Sequence, residues 1–263
     1  VKGGGKLAAL LLLAMGLPHI GRAAPPPHPI VAAMPISRLD LPWWRARFEA
    51  KQAALRAGPV ALAFYGDSIT QNWEQDRPAD WARFRPEWER FYGDRHAVNL
   101  GFKGDTTANL LWRIEHGEAD GIAPKVAVVL IGANNLGRVH WGTAETLAGI
   151  DADIAALHRH LPATHIVLLP ILPSERSAWV TETTQAVNQA LTTRYASSPF
   201  VTYIDVTGLF LKDGRTDRSQ FLDPYLTPPD PPLHPTAQAQ ARMAAAMEPV
   251  LSRLLGDHNH ASR

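Results

Sequence analysis

Five short apolar runs, separated by helical patterns, constrain this chain more than any other feature. They are residues 60–65 (VALAFY), 97–100 (AVNL), 126–131 (VAVVLI), 165–169 (HIVLL) and 200–204 (FVTYI). Runs that are apolar at nearly every position suit parallel strands covered on both faces. Between them, Leu147, Ile150, Ile154, Leu157 and Leu161 recur at helical spacing and make one apolar stripe. Leu110, Leu111 and Ile114 make another after Asp105-Thr106, where either side chain can cap a helix. Residues 181–196 read as a helix with Val187 and Leu191 inward. Residues 237–255 read as a last helix that Pro249 kinks or ends early. Strand and helix alternate from residue 60 to 255. That order predicts a single three-layer α/β/α domain with an open, five-stranded parallel sheet.

Composition removes several function classes. The 263 residues carry 26 basic and 25 acidic side chains, so no basic surface points to nucleic acid. Cysteine is absent, which excludes a disulfide scaffold, a Cys nucleophile and thiolate metal sites.

The two ends read differently from the middle. Lys2 and Lys6 precede an apolar run to Leu17, and Gly21, Ala23 and Ala24 follow. Basic, apolar and small-residue regions in that order are the layout of a secretory signal peptide, here residues 1–23. The run is shorter than the ~20 residues that span a bilayer. Cleavage there would leave no stable membrane span and place the mature chain in the periplasm or outside the cell. Residues 24–40 begin with clustered prolines and read as an extended linker or surface arm. Folded structure is then expected over 41–256, with 257–263 a solvated polar tail.

Ligands of an open parallel sheet bind beyond the carboxyl ends of its strands, so the residues that follow each strand are the candidate site. After the first come Gly66-Asp67-Ser68, with Ser68 at a helix start as either a cap or a nucleophile. After the second come Gly101 and Gly104, which let the backbone turn and present N–H groups. The segment lacks the glycine and lysine spacing of a phosphate loop. After the third comes Gly132-Ala133-Asn134-Asn135, an Asx-turn or an amide donor into a cleft. His234 precedes the last helix within a proline-dense loop. All four features fall where the fold puts its site, in the order Ser, Gly, Asn, His.

That order resembles the SGNH (GDSL-type) hydrolases, and within them the catalytic subunits of intracellular platelet-activating-factor acetylhydrolases. Residues 64–68 match the nucleophile block. The stretches NLGFKGDTTANLLWRIEHGE and PKVAVVLIGANN are similar to the second and third blocks. The resemblance implies the flavodoxin-like fold of that family and a carboxylic ester hydrolase. Ser68 would be the nucleophile and His234 the general base. The backbone N–H groups of Ser68 and Gly104 and the side chain of Asn134 would form the oxyanion hole. No cofactor or metal is implied, and the partner is a small-molecule or carbohydrate ester.

One position departs from the pattern. The family carries Asp three residues before the His, where this chain has Pro231; Asp230 stands four before. Either Asp230 still reaches the His234 ring, the expectation adopted here, or a backbone carbonyl or water orients it. Asp223 is a more distant third candidate. The substrate expected is a short-acyl ester, such as acetyl on a sugar. A lysophospholipid or aryl ester fits the same residues, as do acyl transfer and, if the acid is lost, a non-catalytic binding protein. Trp73, Trp112, Trp141 and Trp179 either line the acyl or sugar site or pack elsewhere.

Overall fold

A computed structural model describes Val1, residues 28–76 and residues 79–262. Residues 2–23 of the expected signal peptide lie outside the described residues. Five parallel strands form the sheet: β1 (Leu62–Gly66), β2 (Ala97–Gly101), β3 (Val126–Leu130), β4 (His165–Leu168) and β5 (Val201–Tyr203). Their spatial order is β2-β1-β3-β4-β5. β1 is therefore an interior strand, pairing Gly66 with Gly101 on one side and Leu130 on the other. Every side chain of β1 and β3 is buried, which is why these runs carry no polar alternation.

The helices are α1 (Pro42–Arg56), α2 (Ser68–Gln71), α3 (Arg85–Tyr92), α4 (Thr107–Arg113), α5 (Ala133–Gly137), α6 (Thr143–His160), α7 (Ala178–Tyr195) and α8 (Ala237–Leu255). They cover both sides of the sheet. α4, α6 and α7 are neighbours in one layer, while α3 and α8 pack together in the other. The stripe read from the sequence is the buried face of α6: Leu147, Ile150, Ile154 and Leu157 all point into the core. α7 starts three residues earlier than its pattern suggests, because Ser177 Oγ accepts from Val180 N at 3.1 Å and caps it there. A short hairpin, β6 (Leu211–Lys212) and β7 (Arg215–Thr216), turns through Asp213-Gly214, both at positive φ.

Three sequence expectations are corrected. α8 does not end at Pro249 but continues to Leu255; its apolar face, including Met243, Met247 and Leu251, stays buried on both sides of the proline. Folded structure begins before residue 41, because residues 30–38 lie as a surface arm bonded to α4. Thr107 Oγ1 donates to Ala32 O at 2.8 Å, Ile36 N donates to Ala108 O at 2.9 Å, and Asn109 Nδ2 donates to Ile36 O at 2.9 Å. The start of α4 thus offers polar groups that an extended segment satisfies. The tail beyond α8 also docks. Arg95 bonds both Glu248 and Asp257, and His260, 1% exposed, donates its N–H to Glu248 at 2.8 Å. Those polar residues are consumed by a buried ion cluster instead of by water. Among the described residues, no helix is long and apolar enough to cross a membrane.

Candidate active site

Strand β1 ends at Gly66, where a Cβ would collide with Thr70 Oγ1 and Leu130 O. Only glycine lets α2 start this close to the sheet. Asp67 caps α2, its Oδ1 accepting from Ile69 N at 2.9 Å. Ser68 follows as the first residue of the helix, buried, with a backbone N–H that has no carbonyl a turn earlier to bond. Gly104 sits at φ +78°, the left-handed region that glycine enters without strain. α4 then starts with a capping box, Asn109 Oδ1 accepting from Thr106 N at 3.0 Å. Asn134 enters from α5. Its Nδ2 donates to Asp105 O at 2.9 Å and lies 3.4 Å from Asp67 Oδ2. One amide therefore touches the neighbour of Ser68 and the neighbour of Gly104. The three loop ends expected to carry the oxyanion donors meet here, and the longer of these two contacts is the weaker.

His234 reaches the same point from the far end of the chain. Its Nε2 is 2.9 Å from Ser68 Oγ. Its Nδ1 is 2.6 Å from Asp223 Oδ1. A carboxylate at Nδ1 accepts, so the ring proton resides there and Nε2 is left to accept from the Ser68 hydroxyl. Asp223 is buried, and its second oxygen accepts from Leu233 N at 2.8 Å and His234 N at 2.6 Å.

Asp230 is the expectation the structure overturns. It is exposed, and its backbone N–H donates to Asp223 O at 3.1 Å. The reason lies in how the loop closes. Leu222 N donates to His234 O and Thr236 N to Gln220 O, both at 2.8 Å, and Phe221 bridges Pro235. The two ends of the loop run side by side, so residues 224–233 bulge outward as an excursion with Asp223 and His234 at its neck. Ser174 Oγ, donating to Pro232 O at 2.8 Å, holds the outer limb.

A second group near the site escaped the sequence reading. Arg113, fully buried, donates from Nε to Asp105 Oδ2 at 2.9 Å, from Nη1 to Leu100 O at 3.0 Å and to Glu118, and from Nη2 to Gly66 O at 3.1 Å. Trp44 Nε1 adds a 2.8 Å bond to Asp105 Oδ1. One guanidinium thus ties the strand before Ser68 to the loop after Gly104. Its partners are spread over four segments, so no spacing announces it. The tryptophans divide. Trp73 packs in the core against Trp88 and Tyr92, and Trp112 against Trp44 and Phe48. Trp179 stays exposed near His140, beyond the end of α5, and Trp141 is half-buried there.

Burial pushes the Asp67 carboxyl up to about 6, against the opposing pull of the Ile69 N–H and of His234. In the unfolded chain an Asp titrates near ~3.9. Between those values the native state holds a proton that the unfolded state has released, so stability falls as pH rises from about 4 to 6. Asp67→Asn, which can still accept from Ile69 N, is expected to flatten that fall by roughly 1–3 kcal/mol. Urea denaturation at several pH values across the window measures it, and an unchanged profile would refute the assignment.

The sequence profile of the GDSL-like lipase/acylhydrolase family matches residues 64–242. The alpha2 subunit of platelet-activating factor acetylhydrolase IB from Rattus norvegicus is 31% identical over 197 residues, which cover 74% of this chain and 77% of the relative. Among solved structures, a GDSL-like lipase from Bacteroides thetaiotaomicron superposes with a TM-score of 0.59 at 18% identity, covering 79% of this chain and 97% of that one. A carbohydrate acetylesterase family member from Sinorhizobium meliloti gives 0.56 at 18% identity, covering 75% and 99%. With its sheet, its Ser68–His234 contact and the profile match in agreement, the chain belongs to the GDSL-like lipase/acylhydrolase family and is a carboxylic ester hydrolase.

Proposed function

We propose that the chain is an exported serine esterase that removes a short acyl group, acetyl on a carbohydrate, through an acyl-enzyme on Ser68. The observation that carries the chemistry is the relay Ser68 Oγ, His234 Nε2, His234 Nδ1, Asp223 Oδ1, with contacts of 2.9 and 2.6 Å. Serine is a weak nucleophile until a base takes its proton. As Ser68 Oγ bonds to the ester carbon, its proton passes to His234 Nε2. The Asp223 carboxylate stabilises the imidazolium and fixes the ring. The carbonyl oxygen, now an oxyanion, accepts from Ser68 N–H, Gly104 N–H and Asn134 Nδ2. The bond to the leaving alkoxide breaks, and the alkoxide takes the proton from Nε2. Water then repeats the sequence on the acyl-enzyme and releases the carboxylic acid and free Ser68.

Export rests on the pattern of residues 1–23. The acetyl group is supported by the names of two similar proteins, the rat acetylhydrolase and the Sinorhizobium acetylesterase. The carbohydrate is supported by the second of these and by an exported location. A fluorophosphonate probe is expected to label Ser68 once per chain and not to label Ser68→Ala. Acetylated xylo-oligosaccharides are expected to release acetate faster than a long-chain lysophospholipid releases fatty acid. The reverse order would overturn the substrate, and an unlabelled Ser68 in folded protein would overturn the mechanism.

A further inference from the structure

The rim of the site is positively charged on the side of Gly104. Arg38 Nη1 donates to Lys103 O at 3.0 Å and to Asp105 Oδ1 at 2.8 Å. Arg138, just past α5, approaches the same glycine. Its Nη1 lies 3.4 Å from Gly104 O, and a Cβ on Gly104 would collide with it. Arg38 Nη1 lies 3.4 Å from that same point. Arg176 packs against Gly137, the residue before Arg138, and donates to Ala133 O at 2.9 Å and Ser174 Oγ at 3.0 Å. Three guanidiniums therefore surround α5 and the Gly104 loop, which carry two of the three expected oxyanion donors.

The protein supplies little negative charge to balance them. Asp105 serves Arg38 and buried Arg113 together. The acids that face Arg176 are Asp67 and Asp223. The first caps α2 and the second holds His234. Arg138 is exposed, and among the described residues the one hydrogen bond of its side chain is the long contact to Gly104 O. Guanidiniums brought together without a matching carboxylate repel one another, and a planar fork left open fits a carboxylate or phosphate.

We propose that this rim receives an anionic group of the substrate, a carboxylate or a phosphate beside the scissile ester, with Arg138 as the principal contact and Arg38 behind it. The inference rests on the esterase reading above and narrows its substrate to acidic esters. An acetylated uronate supplies a carboxylate in that place, and an acetylated glycerophosphate-like ester supplies a phosphate.

Matched pairs of substrates test it. One pair is a monoacetylated methyl glucuronide and the corresponding methyl glucoside. The other is acetoxyethyl phosphate and acetoxyethanol. The quantity read is the ratio of kcat/KM, anionic over neutral, at low ionic strength. In wild type at least one ratio is expected to exceed about ten, which also tells carboxylate from phosphate. Arg138→Gln is expected to bring that ratio down about tenfold, and Arg138→Lys to keep part of it. A general loss of activity cancels in the ratio. Ratios near one in both pairs, or a ratio unmoved by Arg138→Gln, would overturn the proposal. Should none of the esters turn over, the esterase reading fails and binding decides separately. Calorimetry on Ser68→Ala with methyl glucuronide and with inorganic phosphate should then show an anion bound about tenfold more weakly after Arg138→Gln is added. No binding, or binding indifferent to Arg138, overturns it.

Discussion

Alanine at Ser68 is expected to lower turnover of p-nitrophenyl acetate by on the order of 10⁶, and alanine at Asp223 by about 10³–10⁴. Asp230→Ala is expected to stay near wild type. The ordering follows from contacts. Ser68 forms the covalent bond, so its loss leaves only binding and the oxyanion donors. Asp223 holds His234 by a 2.6 Å bond to Nδ1 and a second 2.6 Å bond from the His234 N–H. Without it the ring loses both its tautomer and its counter-charge as the imidazolium forms. Asp230 meets the site only through its backbone N–H. Steady-state rates with circular dichroism on each variant would settle the order. A collapse in Asp230→Ala with Asp223→Ala still active would reverse the assignment.

Removing Arg113 is expected to be the costliest single change to stability near the site. Arg113→Met keeps volume but strands the Glu118 carboxylate and Asp105 Oδ2 in the core and takes one donor each from the Gly66 and Leu100 carbonyls, while Asp105 Oδ1 keeps Arg38 and Trp44. Breaking a buried ion pair from one side costs about 3–5 kcal/mol, or roughly 6–20 °C in Tm for a domain of this size. Burial already pushes Glu118 up to about 7, and it raises Asp105 too, with Arg113 opposing both. Without the guanidinium both carboxyls hold protons more strongly in the native state than in the unfolded chain. Stability then falls as pH rises, so the deficit should be larger at pH about 7.5 than at about 5.5. Chemical denaturation at the two pH values tests the sign. An equal deficit at both would show that lost packing on Phe102, whose ring lies 4.1 Å from the guanidinium, dominates.

The features legible in the sequence are local ones. A strand buried on both faces must be apolar at successive positions, and a helix on one layer must repeat every three to four, so five strands and α6 could be located by pattern. Ser68, Gly104 and Asn134 each sit within a few residues of a strand end, so strand position carries them to the site. α7 shows the limit, since its start depends on which serine caps it.

His234 and its acid show what pattern cannot supply. The structure pairs the two ends of the loop, from Gln220 to Asp223 and from Leu233 to Thr236. Closing a loop costs free energy that grows only with the logarithm of its length. An excursion of ten residues therefore costs only about 1.4 kcal/mol more to close than one of two, less than a buried carboxylate contact can offset, and spacing along the chain says little about which acid stands at its neck. The same holds for Arg95 with the tail, residues 30–38 with α4, and Arg113 with four segments. Periodicity and backbone turns suffice to read the layers, the five strands along the chain and the residue types at each strand end, because those are local properties. Which carboxylate orients His234, and which guanidiniums surround Gly104, follows from the packed fold, because such contacts join points whose separation in space is independent of their separation in sequence.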